Sequence, residues 1–367
     1  MSEKAPSHTA RPAAQAAPTF AVLGATGFVG RHVCRALGAT GARVIGLSRS
    51  GTSVPGTAAS MRTDLGEAAA TARLAALLDE EGVDAVVNAA GAVWGVSDDQ
   101  LHDVNVELTR RLVDAVAATD RAPRLVHLGS VHEYGQVPHG AGITEDRTPR
   151  PVNPYGRSKL LGSEVVLRAA RQGLVDAVVL RIVNVYGPNA PQGSLLGMIA
   201  HHLAEVGRCR RSGAPEPVLR LAPLRAHRDF VDVRDVADAV GAAARAPLPP
   251  AGPAGDGQRL INIGRGTALD VRRLVDRLIE LSGVEASVVE ERSDDGLRGD
   301  VEWQQVDISR ARELLHWRPR RDLDESLRDL LASAFAPAPS PAPAHAQALP
   351  PAVSPSPSPS PALAPAL

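Results

Sequence analysis

A doubly wound α/β fold, with a parallel sheet between two helical layers and a smaller C-terminal α/β lobe, is predicted by three observations in this sequence. Short, β-branched apolar runs alternate with longer amphipathic stretches through the first half. A glycine-rich turn joins the first run to the first amphipathic stretch. After about residue 186 the alternation loosens into shorter runs punctuated by Pro and Gly.

The runs at 20–23, 44–47, 85–88, 125–128 and 177–182 read as strands buried on both faces. The stretches near 28–37, 68–80, 101–118 and 155–171 read as the helices that cover them. Such alternation implies parallel strands joined by right-handed crossovers. Residues 19–185 are therefore expected to form the first domain. Residues 186–335 should be mainly a second lobe, with some segments returning to the first. The ends, 1–18 and 336–367, are rich in Ala, Pro and Ser and are expected to be disordered tails.

Composition excludes several classes of function. The chain has 367 residues, 44% of them hydrophobic, enough for a sizeable core. A formal net charge of -1 gives no ground for capture of nucleic acid or an anionic membrane. Two cysteines, Cys34 and Cys209, make neither a disulfide scaffold nor a metal-ligand spacing, and no metal is expected. No apolar run reaches the roughly 18 residues of a membrane span. The first 18 residues lack the hydrophobic segment of a secretory signal. A soluble, cytoplasmic protein is the expectation.

The segment Phe20-Ala-Val-Leu-Gly24-Ala-Thr26-Gly27-Phe28-Val29-Gly30 carries the first strand into the first helix. Glycines there permit a tight turn and let backbone N–H groups reach a dinucleotide pyrophosphate at the helix N-terminus. Gly24, Thr26, Gly27, Phe28, Val29 and Gly30 are the resulting cofactor candidates. The second strand ends Gly46-Leu-Ser48-Arg49-Ser50, with no carboxylate to accept ribose hydroxyls. Arg49 instead suits a 2′-phosphate, which favours NADP(H), with NAD(H) the alternative. Asp64 and Leu65, further along the chain, are candidates for the adenine edge.

Of the 40 basic residues only Lys4 and Lys159 are lysine, and the three tyrosines are Tyr134, Tyr155 and Tyr186. Asn153-Pro154-Tyr155 opens a helix, Asn153 suiting the N-cap and Pro154 the first helical position. Four residues on, Lys159 shares a helix face with Tyr155. A phenol of pKa about 10 exchanges its proton poorly at neutral pH. A cation about 4 Å away at an effective dielectric of about 20 contributes about 4 kcal/mol, at most about three pKa units. Lys159 is thus expected to lower the pKa of Tyr155 and to donate to ribose hydroxyls. Ser130, at the carboxyl end of the fourth of these strands, points a hydroxyl to the crevice or caps its own turn. His127 lies within that strand and is expected to pack there.

Further pieces are Asn88-Ala89-Ala-Gly91, Ser130-x-x-x-Tyr134-Gly135 and Leu180-Arg-Ile-Val-Asn184-Val-Tyr-Gly-Pro188. Arg228-Asp-Phe-Val-Asp-Val-Arg-Asp235 and Asp307-Ile-Ser-Arg-Ala before Trp317-Arg-Pro319 follow. With the glycine turn and Tyr155-x-x-x-Lys159, these resemble the extended short-chain dehydrogenase/reductase family. The resembling branch is that of the nucleotide-sugar, NAD-dependent epimerase/dehydratase enzymes, over about residues 19–335.

The resemblance implies a Rossmann domain at 19–185 with Ala89 at the cofactor. It makes Tyr155 the acid/base, puts Lys159 on the nicotinamide ribose and has Ser130 orient the sugar carbonyl or hydroxyl. Asn184 and Arg228 match positions near the nucleotide diphosphate, and a guanidinium fork suits two phosphate oxygens. The alternative for Arg228 is a pair with Asp229 or Asp232. Arg298 resembles a second diphosphate arginine, one residue short in its spacing to Asp300. The resemblance also implies a homodimer through the helices at 101–118 and 155–171.

Departures bear on the reaction. Where related 4,6-dehydratases carry an Asp-Glu pair, this chain has Val131 and His132, so dehydration is not expected. His132 is a substrate-side candidate, as a second acid/base near neutral pH or as closure of the turn. Without a carboxylate after the second strand, exchangeable NADPH and net reduction fit better than internal recycling. The leading expectation is an NADPH-dependent reductase of a nucleotide-linked keto-sugar, such as a 4-keto-6-deoxyhexose. Alternatives are a 4-epimerase with bound NAD and a non-catalytic dinucleotide-sensing protein, whose mark would be a damaged Ser/Tyr/Lys set.

Overall fold

The computed structural model describes residues 17–93, 95–249, 256–291 and 301–336. The expected tails, apart from residues 17, 18 and 336, lie outside the described residues, as does Arg298. The chain divides into a unit of residues 1–335 and a segment 336–367, and the described helices and strands belong to the first.

Six strands follow one another through the first half: β1 (Thr19–Leu23), β2 (Arg43–Ser48), β3 (Ala59–Arg62), β4 (Ala85–Asn88), β5 (Arg124–Ser130) and β6 (Ala177–Ile182). The helices between them are α1 (Phe28–Ala39), α2 (Ala70–Glu80), α3 (Asp98–His102), α4 (Leu108–Ala117) and α5 (Pro154–Arg171). The single amphipathic stretch expected at 101–118 is interrupted: a π-helical turn at Asp103–Glu107 separates α3 from α4.

The C-terminal half begins with β7 (Asn184–Tyr186), α6 (Leu195–Ser212), β8 (Leu219–Leu221), β9 (His227–Asp232) and α7 (Val233–Arg245). Then come β10 (Leu260–Ile263), β11 (Ala268–Asp270), α8 (Val271–Ser282), β12 (Val288–Glu290), α9 (Ser309–Leu315) and α10 (Leu323–Phe335). The large sheet has seven strands in the order β10-β6-β5-β4-β1-β2-β3, paired in parallel throughout. Strand order reverses between β1 and β4, which opens a crevice at their carboxyl ends. A three-stranded sheet, β11-β9-β7, and the pair β12-β8 build the smaller lobe.

Each face of the large sheet is sealed by an apolar layer. On one face Val33 and Leu37 of α1 meet Val236 and Val240 of α7, with Ala311 and Leu315 of α9 behind. On the other, Leu74, Leu112 and Val166 of α2, α4 and α5 cover Ile45, Val86 and Val179. Burying each such Val, Leu or Ile contributes about 1.5–3 kcal/mol. A third cluster joins α6, α8 and α10 through Ile199, Leu278 and Leu330 around Tyr186 and Phe230. The boundary at 185/186 falls inside β7, while β10, α7 and α9 return to the large sheet.

Candidate active site

The glycine turn sits at the reversal point. Gly24 has φ +80°, a left-handed conformation open to glycine, and its N–H donates to the Leu47 carbonyl at 2.9 Å. A Cβ at Gly24 would lie 2.8 Å from the Ala89 carbonyl, so the ends of β1 and β4 touch here. A Cβ at Gly30 would fall 2.1 Å from the Gly24 carbonyl oxygen, which lets α1 begin against the turn itself. The first N–H groups of a helix have no intrahelical acceptor, and at the start of α1, at Phe28, Val29 and Gly30, the N-cap Gly27 has no side chain to supply one. This backbone cradle, which any side chain would fill, fits a dinucleotide pyrophosphate. The side chains of Phe28 and Val29 pack inward, so their contribution is main-chain. Thr26 is half-buried, its carbonyl accepting from Arg31.

The other cofactor candidates are arranged along the sheet edge. Arg49 is exposed just beyond β2. Asp64 accepts from the Gly66 N–H at 2.9 Å, and Leu65 is buried in the core, so only its backbone can meet a ligand.

Asn153 caps α5, accepting from the Gly156 N–H at 2.7 Å, and Pro154 follows at the first helical position. That places Tyr155 in the first turn, where its hydroxyl shares a hydrogen bond with Ser130. Burial pushes the Tyr155 phenol up to about 12, partly offset by the Ser130 bond and reinforced by the Glu133 charge. Ser130 Oγ also accepts from the His132 N–H at 3.2 Å, so it caps its turn and faces Tyr155 together.

Lys159 has a partner that the sequence spacing does not show. Its Nζ donates to the Leu128 carbonyl at 2.5 Å. The ammonium is itself buried, which lowers it to about 8 against the raising effect of Glu133. A shared helix face is the sequence signal for the pair, and the carbonyl of Leu128 on β5 receives the ammonium.

Asn105 was missed by sequence reading. Its amide donates to the Ala92 carbonyl at 3.1 Å and the Ser158 hydroxyl at 2.9 Å, and its Oδ1 accepts from the Ala92 N–H. Ser158 in turn donates to the Tyr155 carbonyl at 2.9 Å. The loop beyond Ala89 is thereby tied to the first turn of α5, which joins the glycine crevice to Tyr155. The readable sign was a polar residue on the apolar stripe of Leu101, Leu108 and Leu112. His127 packs as expected, buried with Nδ1 3.0 Å from the Asn88 amide nitrogen.

On the far side of Tyr155 stands His132, ring edge to ring at 5.6 Å. Its Nδ1 is shut from water and has no partner among the described residues. Burial, and then the positive charge of Arg228, lower its pKa to about 4. Such a ring is neutral near pH 7 and sits in a tight turn, which favours closure of the turn over an acid/base role. The His132 ring is expected to stay neutral from pH 8 to about 5, followed by NMR of its carbon-bound protons. A midpoint near 6.5 would overturn this. Since the unfolded ring protonates at about 6.5 and the folded one near 4, it withdraws stability as pH falls through that window.

Asn184 on β7 and Arg228 on β9 meet at one atom, Gln304 Oε1, at 3.1 and 3.2 Å. Asp229, one alternative partner for Arg228, accepts from the N–H groups of Arg265, Gly266 and Val306. Asp232 is paired with Arg234. Ser130, Tyr155 and His132 are neighbours, the charge of Arg228 reaches His132, and Arg228 shares Gln304 with Asn184, whereas Arg49, Asp64 and Leu65 lie beyond the outer strands. Among the described residues no helix is long and apolar enough to cross a membrane.

A glycine cradle at the switch point, tied to a serine–tyrosine pair with a lysine behind it, defines an NAD(P)-dependent enzyme of the extended short-chain dehydrogenase type. The model of the NAD dependent epimerase/dehydratase family matches residues 20–264, and the chain belongs to that family. A dTDP-6-deoxy-L-talose 4-dehydrogenase (NAD(P)(+)) of Kitasatospora kifunensis is 44% identical over 318 residues, 86% of this chain and 96% of its own length. A UDP-glucose 4-epimerase of Azospirillum brasilense is 28% identical over 336 residues, 86% and 92% of the two chains. The solved structure of MoeE5 in complex with UDP-glucose and NAD superposes with a TM-score of 0.70 at 26% identity, covering 86% of this chain and 98% of that one.

Proposed function

We propose that this protein is an NADPH-preferring reductase of a nucleoside-diphosphate-linked keto-sugar, specifically a 4-keto-6-deoxyhexose. The observation that carries the reading is the Tyr155 hydroxyl, held by Ser130 and pushed to about 12 by burial. Such a phenol keeps its proton at neutral pH and releases it only to a stronger base, such as the alkoxide left when a ketone is reduced. The nicotinamide, when bound, supplies the hydride. Tyr155 protonates the sugar oxygen, and Ser130 orients that oxygen by hydrogen bonding. Lys159, anchored on Leu128, holds the nicotinamide ribose, and Arg228 holds the diphosphate, with Asn184 beside it on the shared Gln304 oxygen.

Two further points support this choice. The 44% relative is by name a 4-dehydrogenase of a dTDP-6-deoxy sugar, and that reaction reversed reduces a 4-ketone. The segment after β2 offers Arg49 and no carboxylate, which favours a 2′-phosphate. A homodimer through the outer faces of α4 and α5 belongs to the same proposal.

The test is a panel of nucleoside-diphosphate keto-sugars followed at the NADPH absorbance band, with NADH in parallel. Stoichiometric loss of NADPH with a dTDP-4-keto-6-deoxyhexose, faster than with NADH, is the expected result. Purified protein that carries stoichiometric NAD and interconverts 4-epimers with no net cofactor consumption would overturn it in favour of an epimerase.

A further inference from the structure

We propose that Gln304 is a positioning residue that aims Arg228 at the substrate diphosphate, an inference that rests on the reading in which that guanidinium holds that group; Asn184, whose two amide N–H groups go to Asp229 and Gln304, steadies the acceptor. Gln304 is fully buried on a segment that bridges to the start of β9, its N–H donating to the His227 carbonyl at 2.9 Å. Hydrogen bonding determines which end of its amide faces the pair. Asn184 Nδ2 donates to the Asp229 carbonyl at 2.9 Å, so that nitrogen is assigned by an oxygen that can only accept. Arg228 can only donate. The atom both approach must be an acceptor, which makes it Gln304 Oε1. Reversing the amide would set its NH2 group against two donors.

The orientation has a consequence for the other end. Gln304 Nε2 is buried and has no acceptor among the described residues. A buried amide N–H without a partner is unfavourable, so the fold alone does not call for glutamine at this position. A thioether of similar length would satisfy the packing better. What glutamine adds is one neutral oxygen that receives two donors from different strands.

Neutrality matters to an anion site. A carboxylate in the same place would orient the guanidinium equally well but would cancel part of the charge that attracts a diphosphate. On β9 the carboxylates are directed elsewhere, Asp229 to three backbone N–H groups and Asp232 to Arg234. A guanidinium has five N–H donors, and the bond to Oε1 orients it through one of them.

The experiment compares Gln304→Met, Gln304→Glu and Arg228→Met in the full chain. Binding of dTDP and of NADPH is measured by titration calorimetry, together with melting temperature and the KM and kcat of turnover. Gln304→Met should weaken dTDP about tenfold and raise KM by a similar factor, with kcat and NADPH affinity retained and melting temperature undiminished. Gln304→Glu should weaken dTDP more than Gln304→Met does. Normal dTDP binding in both Gln304 variants, with a loss in Arg228→Met, would overturn the inference and leave the diphosphate site standing. Normal binding in Arg228→Met as well would remove the diphosphate reading itself. Parallel loss of dTDP affinity, NADPH affinity and melting temperature would mark Gln304 as structural and overturn the inference.

Discussion

Tyr155→Phe is expected to lower kcat by about 10²–10⁴-fold while the dissociation constant for NADPH changes by less than about twofold. The substitution removes one oxygen and keeps the ring that packs in the first turn of α5, so the helix cap at Asn153 and the contact with His132 persist. What disappears is the proton that Ser130 and burial hold in place. Ser130 stays on the His132 N–H, so the remaining site can still bind and orient a carbonyl. The loss therefore falls on kcat more than on KM. Retention of more than about a tenth of the wild-type rate would mean that another group supplies the proton. His132 is a poor replacement, because its ring is already neutral at pH 7 with a pKa of about 4.

Much of this site was legible because its chemistry is written in rare residues at element ends. Gly24 and Gly30 stand where backbone must touch backbone, and Tyr155 follows an N-cap and a proline that place it in a helix's first turn. Those are local rules, and local rules survive folding. What escaped depends on which of several partners wins. Spacing put Lys159 beside Tyr155, yet the choice between a phenol and the Leu128 carbonyl is made by the depth at which α5 packs on β5. Asn105 and Gln304 act across long stretches of sequence, Asn105 on Ala92 and Ser158, Gln304 on Asn184 and Arg228. The π-helical turn that carries Asn105 was hidden for a related reason. Its carbonyl needs the bare Cα of Gly162, since a Cβ there would lie 2.3 Å from the Asn105 oxygen. The return of α7, α9 and β10 to the large sheet is equally non-local, set by apolar faces that match across the molecule.

The second large effect is expected away from the reacting atoms, at Glu133. Its Oε1 accepts from the Ser130 N–H at 2.7 Å and the Ser163 hydroxyl at 2.9 Å, and its Oε2 from Arg181 Nε at 2.6 Å. The side chains of Arg181 and Glu133 are 3% and 0% exposed, and the guanidinium lies 4.4 Å over the Tyr134 ring. Glu133→Ala strands a buried cation, which is expected to cost about 3–5 kcal/mol in urea denaturation. It also frees the Ser130 backbone, so turnover should fall in whatever fraction stays folded. Replacing both partners, as Glu133→Leu with Arg181→Met, removes the stranded charge and should recover most of the stability. It does not restore an acceptor to the Ser130 N–H, so the double variant should fold well and still turn over slowly. A stability loss under about 1 kcal/mol in Glu133→Ala would show that the ion pair contributes little. Full activity in the double variant would show that Ser130 is held without the carboxylate. The pairing of these two outcomes separates the charge, which the fold requires, from the latch, which the chemistry requires.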